Sequence, residues 1–546
     1  MTGAAALVQS LLDCGVDCGF GIPSIHNIAL YEALRQQPRF HHWIVRHEQA
    51  AGFAADGFCR SAGKPAVVFA STGPGNLFTL VPLLESLKTE TPVILVGTNV
   101  ASPLLEKTVG ALHETPQQLE IVKPLTRFAV RIQSPGQIPG AVRSAVQAQG
   151  PAFIEVPHDL LLATLSSPPT EPVRSGEVDP ETSDQKEELA RAISEIERSR
   201  KPVLVAGSGV SSAADVRALR ELAEKLQAPV LTTTSGKGVF PGDHPLDMGC
   251  LSRMGIAQEL LLESDLMISA GARFTEFDTG RYTLKAPLKH VSLSSKQPSA
   301  HFPFPATWNL HGPLEAALQH LSMAVHSRES WWAAAEAKAA ERARLDSLQS
   351  DALSALWLLR SALDRHDVVV NDQSILNYWA SAFFPVLEPR TFHYPTGSGT
   401  LGYGLPAAIG AACALQKQGS ASRVLCIAGD GGFQYTSHEL ATLAQYNLPV
   451  KILLVNDNSY GVIGFLQRSL FGHTHEVALQ NPDFCRLAEA YKIPAQRVTD
   501  IDGLRRQLPA WLHSAGPGLL EWQTNLKAPW EAGAIHRPAN LSESRT

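Results

Sequence analysis

The sequence has no Cys-x-x-Cys pair and no Cys/His grouping at metal-ligand spacing. Its seven cysteines are an odd number in a 546-residue chain, which speaks against a disulfide framework and for reduced, packed thiols. No basic cluster stands out, and the net charge of −6 with a pI near 6.3 argues against nucleic-acid or anionic-membrane partners. No run approaches the ~20 apolar residues of a membrane span. The opening residues, Met1-Thr2-Gly3-Ala4-Ala5, lack the basic region of a signal peptide. A cytoplasmic protein without membrane contact is expected.

Hydrophobic residues make up 44% of the chain, enough for large cores, and at ~150 residues per domain the length suggests three domains. Two stretches read as linkers: Ser166 to Asp184, rich in Ser, Pro, Thr and Glu, and His326 to Gln349, Ala/Glu/Arg-rich and helical in pattern. They divide the sequence into 1–165, 185–325 and 350–530. The polar end, Ala532 to Thr546, reads as mobile. Short apolar runs at Ala66–Ala70, Val93–Val96, Val203–Ala206, Leu266–Ala270, Val424–Ala428 and Val450–Val455 alternate with periodic helical segments. That alternation predicts an α/β protein of three doubly wound parallel-sheet domains. The first and third parts also share an order of elements. Each has a small-residue helix, a strand, a Gly-rich loop, a helix, and a strand opened by Pro, which reads as an internal duplication.

The sharpest chemical signal is Gly429-Asp430-Gly431-Gly432, followed by Asn456-Asp457-Asn458 with 24 residues between Gly431 and Asn456. The Gly-rich turn follows one apolar strand and the Asn/Asp step ends the next, so both fall at the C-terminal edge of one sheet, where open α/β sheets bind ligands. Backbone N–H groups there can meet a diphosphate, and Asp430 offers the hard oxygen that Mg²⁺ prefers. A lone Gly-Asp-Gly is more often a tight turn with a solvated Asp; the paired Asn-rich step shifts the balance. This pair resembles the thiamine-diphosphate signature. Nearly the whole chain, about residues 5–525, is similar to enzymes of the acetolactate synthase and 2-oxo acid decarboxylase type. The similarity includes Phe20-Gly21-Ile22-Pro23, Arg46-His47-Glu48-Gln49-Ala50-Ala51, Ser71-Thr72-Gly73-Pro74-Gly75-Asn76 and the run from Gly397 to Pro406.

The resemblance implies Mg²⁺ held by Asp430, by Asp457, where the family usually has Asn, and by the carbonyl of Ser459. It implies Gly399 meeting the 4′-amine of the cofactor's aminopyrimidine and Leu401, in place of a common Met, wedged between its two rings. Gln373, Ser374 and Tyr460 would add cofactor contacts. Glu48 would serve the pyrimidine N1′, where a desolvated carboxyl is suited to proton exchange; taken alone, it reads as an ordinary first-turn Glu on a helix dipole. The pyrimidine end would belong to one subunit and the diphosphate end to another, so a homodimer or homotetramer with sites at the subunit interface is expected.

His26 and His113 are the catalytic candidates beyond Glu48. Each also reads as a plain solvated loop residue. His113 falls in a loop near the reacting carbon in relatives, and a His there suits proton delivery. The segment Ser459–Phe471 lacks a Trp found in acetolactate synthases. These departures favour a small-molecule 2-oxo acid decarboxylated with aldehyde release or carboligation, ahead of acetolactate synthesis or a non-catalytic ThDP-binding paralogue. Acetolactate synthases carry FAD in the middle part. Arg273 could touch its phosphates, but His290-Val291-Ser292-Leu293-Ser294-Ser295 has no acid to hold a ribose, and an empty or vestigial nucleotide site is expected.

Overall fold

The computed structural model describes residues 1–165, 183–253, 255–295 and 304–535. Among them are three six-stranded sheets, all parallel, with helices on both faces. The first holds β1 (Cys18–Gly21), β2 (His41–Ile44), β3 (Ala66–Ala70), β4 (Val93–Asn99), β5 (Phe128–Arg131) and β6 (Ala152–Pro157). The central one holds β7 (Pro202–Ala206), β8 (Val230–Thr232), β9 (Asp247–Cys250), β10 (Leu266–Ala270), β11 (His290–Ser294) and β12 (Trp308–His311). The third holds β13 (Val368–Asn371), β14 (Phe392–His393), β15 (Val424–Gly429), β16 (Val450–Asn456), β17 (Ala495–Val498) and β18 (Gly518–Gln523). Inner strands such as β3, β4, β15 and β16 are buried along their whole length. Strands covered on both faces read as continuous apolar runs for that reason.

The duplication seen in the sequence is a duplication of topology. The first sheet runs β2-β1-β3-β4-β6-β5 and the third β14-β13-β15-β16-β18-β17, the same order strand for strand. The central sheet runs β12-β11-β10-β7-β8-β9, the order of dinucleotide-binding folds.

The first and third units share one hydrophobic core. At its centre the helix Glu48–Ala62 lies against the helix Gly404–Lys417. A Cβ on Gly57 would sit 2.1 Å from the Ala407 carbonyl oxygen, and one on Gly410 would sit 1.8 Å from that of Ala54. The two backbones touch, which is the physical reason both helices are built of Gly and Ala.

The helical segment expected between the second and third units is Ala334–Ser347. Its Ala334 and Ala337 pack on a core of the central unit and its Leu345 is buried in the C-terminal core. The other expected linker lies outside the described residues, except that Ser183 and Asp184 open the helix Ser183–Arg198. The expected mobility of the C-terminal end is corrected for its first residues. Ala534 is buried, Ala532 and Ile535 pack beside it, and Arg344 donates to the carbonyls of Gly533 (3.2 Å) and Ala534 (2.7 Å). The polar average of that stretch hid its few apolar contacts; residues from 536 on lie outside the described set. No helix among the described residues is long and apolar enough to cross a membrane.

Candidate functional site

At the C-terminal edge of the third sheet is a cavity of about 220 Å³. Its lining includes Gln373, Ser374, Gly399, Leu401, Gly429, Asp430, Gly431, Gly432, Asp457, Ser459 and Tyr460, all nominated from the sequence for the metal, the diphosphate or the turn beside the pyrimidine. β15 and β16 are adjacent, with Gly429 opposite Val455, so the Gly-rich turn and the Asn456-Asp457-Asn458 step leave the sheet side by side. Asp430 is 3% exposed. One of its carboxylate oxygens accepts from the Gly431 amide at 2.9 Å, the other from the side-chain amide of Asn481 at 2.6 Å. Asp457 accepts from the Ser459 amide at 3.0 Å. A Cβ on Gly431 would meet the Tyr460 ring at 2.7 Å, so the turn passes beneath that ring only with glycine there.

The donor set fits a hard divalent cation. Burial raises Asp430 above the ordinary carboxylate range. Burial, and then the charge of Asp430, push Asp457 up to about 6. Among the described residues no ion pair is made by either carboxylate, and a cation between them would favour the ionised form of both.

Sequence reasoning missed three residues of this region. Asp372, fully buried, accepts the amides of Gln373 (2.7 Å), Gly402 (3.1 Å) and Gly404 (2.9 Å), and burial pushes it up to about 6. It directly precedes two nominated residues at a strand end, so its position was readable. Asn481 reaches Asp430 and also stands 3.2 Å from the side-chain oxygens of both Asn456 and Asn458; nothing local in the sequence marks it. Glu85 is a fully buried acid on the same face of the helix Leu80–Thr89 as Pro82 and Ser86. A charge on a helix's buried face was its signal.

Glu48, His26 and His113 do not line this cavity. They gather instead at the C-terminal edge of the first sheet. Glu48 opens its helix behind the cap His47, whose ring accepts from the Gln49 amide at 3.2 Å. Its Oε1 lies 3.2 Å from where a Gly75 Cβ would stand. The His26 ring centre is 5.2 Å from that of His113 and 5.4 Å from that of His158, a third histidine at the end of β6. Burial, then the neighbouring His158 and His113, hold His26 below the ordinary histidine range. Within the chain the two groups of nominated residues therefore occupy corresponding edges of two like-folded units.

In the central unit Arg273 is engaged: its guanidinium donates to the Lys88 carbonyl and stands 4.0 Å from Glu90.

Three family models match the chain, described as the N-terminal TPP binding domain (residues 1–121), the central domain (189–321) and the C-terminal TPP binding domain (372–522) of thiamine pyrophosphate enzymes. The probable 2-ketoarginine decarboxylase of Pseudomonas aeruginosa is 34% identical over 95% of this chain and 94% of its own length. The acetolactate synthase isozyme 2 large subunit of Escherichia coli is 30% identical over 95% of each. Among solved structures, one described as a thiamin diphosphate-dependent enzyme from Mycobacterium smegmatis superposes with a TM-score of 0.78 at 22% identity, covering 96% of this chain and 100% of that one; at that identity the likeness is one of fold.

Proposed function

The chain belongs to the thiamine pyrophosphate enzymes of the acetolactate synthase and 2-oxo acid decarboxylase type, and from that premise we propose that it decarboxylates a 2-oxo acid non-oxidatively with thiamine diphosphate and Mg²⁺. The fragment then leaves as an aldehyde or joins a second carbonyl. The observation that carries this reading is the single cavity holding Asp430, Asp457 and Ser459 beside Gly399 and Leu401.

Bound thiamine diphosphate supplies a carbanion at C2 of its thiazolium ring and takes up the electron pair released with CO₂; the protein supplies orientation and polarity. Asp430, Asp457 and the Ser459 carbonyl would hold Mg²⁺ against the diphosphate, with Gln373, Ser374 and Tyr460 beside it. The carbonyl of Gly399 would accept from the 4′-amine, and Leu401 would keep the two rings bent together. Glu48 would hold and return the proton at N1′. Glu48 is not among the residues that line the cavity of its own chain, which supports a homodimer or larger homo-oligomer in which Glu48 of one chain meets the cavity of another. His113, whose ring lies 5.2 Å from that of His26, would deliver a proton to the product carbon. The cofactor set has no flavin: β11 offers no acid to a ribose, and Arg273 is already bonded.

A second cavity, of about 600 Å³, adjoins the first through Gln373, Tyr378 and Gly399, and its wall includes Phe277, Tyr378, Phe465 and Trp530. That space favours a 2-oxo acid with a side chain longer than the methyl of pyruvate, in line with the 2-ketoarginine of the Pseudomonas relative's name. CO₂ release from pyruvate, phenylpyruvate and 2-ketoarginine, with thiamine diphosphate and Mg²⁺, tests it. A longer substrate is expected to give the highest kcat/KM, and gel-filtered protein to show no flavin band. Acetolactate from pyruvate as the fastest reaction would favour the synthase instead. CO₂ from none of a wider panel would mark a non-catalytic paralogue.

A further inference from the structure

Residues 397–404, which include Gly399 and Leu401, hang between two buried carboxylates, one from each of the two like-folded units. On the third unit's side Asp372 accepts the Gly402 and Gly404 amides. On the first unit's side Glu85, with no exposed surface, accepts the Ser398 amide at 2.6 Å and its hydroxyl at 2.8 Å through one oxygen, and the Gly397 amide at 3.1 Å through the other. Arg60 supports Glu85 at 2.9 Å, donates to the Tyr394 carbonyl at 2.9 Å and pairs with Asp56 at 2.6 Å. Asp56 in turn accepts from the Tyr403 hydroxyl at 2.9 Å. Both ends of the turn are thus tied to the first unit by side chains taken wholly or largely out of water.

A tie of this kind is not needed to dock the two units, whose helices already meet backbone to backbone through Gly57 and Gly410. Burying a carboxylate is costly unless its lone pairs are satisfied. Here Glu85 is satisfied by Arg60, by the Ser398 hydroxyl and by two backbone amides of the turn on which Gly399 and Leu401 sit, with Gly399 at φ +65°.

We propose that Glu85 is a positioning residue for the cofactor: it fixes the Gly399-Thr400-Leu401 turn in the shape that receives the pyrimidine end, so that the first unit of a chain governs cofactor affinity at the third unit of the same chain. This rests on the thiamine diphosphate reading above. A residue that only docks the two units would weaken every ligand of the third sheet alike; a positioning residue weakens only a ligand that reaches the turn.

Calorimetric affinities for two probes, thiamine diphosphate and inorganic pyrophosphate, each with Mg²⁺, separate the two roles. Glu85→Gln leaves an amide N–H₂ facing backbone N–H donors and removes charge-assisted bonds, so thiamine diphosphate is expected to bind about tenfold more weakly, with pyrophosphate unchanged. Ser398→Ala, which removes one hydroxyl and leaves Glu85 buried and paired, is expected to show a smaller loss with the same selectivity, and it decides the question if Glu85→Gln does not fold. Equal losses for both probes, or unaltered thiamine diphosphate affinity in the variants, would overturn the proposal. Wild-type protein that binds no thiamine diphosphate would overturn the functional reading and the positioning role with it.

Discussion

Glu48→Gln is expected to bind thiamine diphosphate within several-fold of wild type yet slow deuterium exchange at the cofactor's C2 by ~10²–10⁴, the usual span for loss of a positioned acid–base group. Glu48 is the first residue of the helix Glu48–Ala62, and its Oε1 lies beside Gly75 in the short helix Pro74–Phe78. A helix that packs through Gly57 against the backbone of Ala407 has little freedom to shift, so its first residue is held at a fixed height above the sheet edge. Gln preserves that shape and one hydrogen bond but cannot exchange the proton at N1′, so binding and activation part company. C2 exchange followed by NMR after acid quench reads the activation step without any substrate. Exchange at the wild-type rate would remove Glu48 from the role of activator.

Asp430→Ala should lower Mg²⁺-dependent affinity for thiamine diphosphate by more than about a hundredfold, beyond what loss of a group merely supporting a metal ligand costs. The carboxylate is 3% exposed and held by the Gly431 amide and Asn481, so its oxygens are fixed in place before any cation arrives. Asp457→Asn should be milder, because an amide oxygen still coordinates a hard cation. Titration of each variant with thiamine diphosphate at fixed Mg²⁺ measures both. An Asp430→Ala protein that binds as wild type would show that the metal lies elsewhere.

Much of the fold was legible because parallel strands buried on both faces leave continuous apolar runs, and the cavity at the edge of the third sheet was legible because Asp430 and Asp457 sit on two short, composition-marked turns at neighbouring strand ends. Glu48 has no such mark of its own: a Glu at a helix start reads as an ordinary dipole partner, and only the resemblance singled it out. The supporting residues were harder. Asn481 reaches Asp430 from a loop with no local motif, since its meaning lies in three contacts made only by folding. Glu85 and Ser398 are 313 residues apart, and no periodicity links them. The like strand order of the first and third sheets was hinted at by their shared element order, whereas the buried contacts of Ala534 and Ile535 were masked by the polar residues around them.

In the proposed assembly one chain grips the metal end of the cofactor through Asp430 while Glu48 of another serves the pyrimidine end. Mixing the two inactive variants, Glu48→Gln and Asp430→Ala, under conditions that allow subunits to exchange tests it most directly. In a symmetric dimer each hybrid carries one doubly altered site and one intact site, and random exchange makes half the dimers hybrid, so decarboxylation should return to about a quarter of wild type. A mixture that stays as inactive as its components, while native electrophoresis shows hybrids formed, would contradict the shared site.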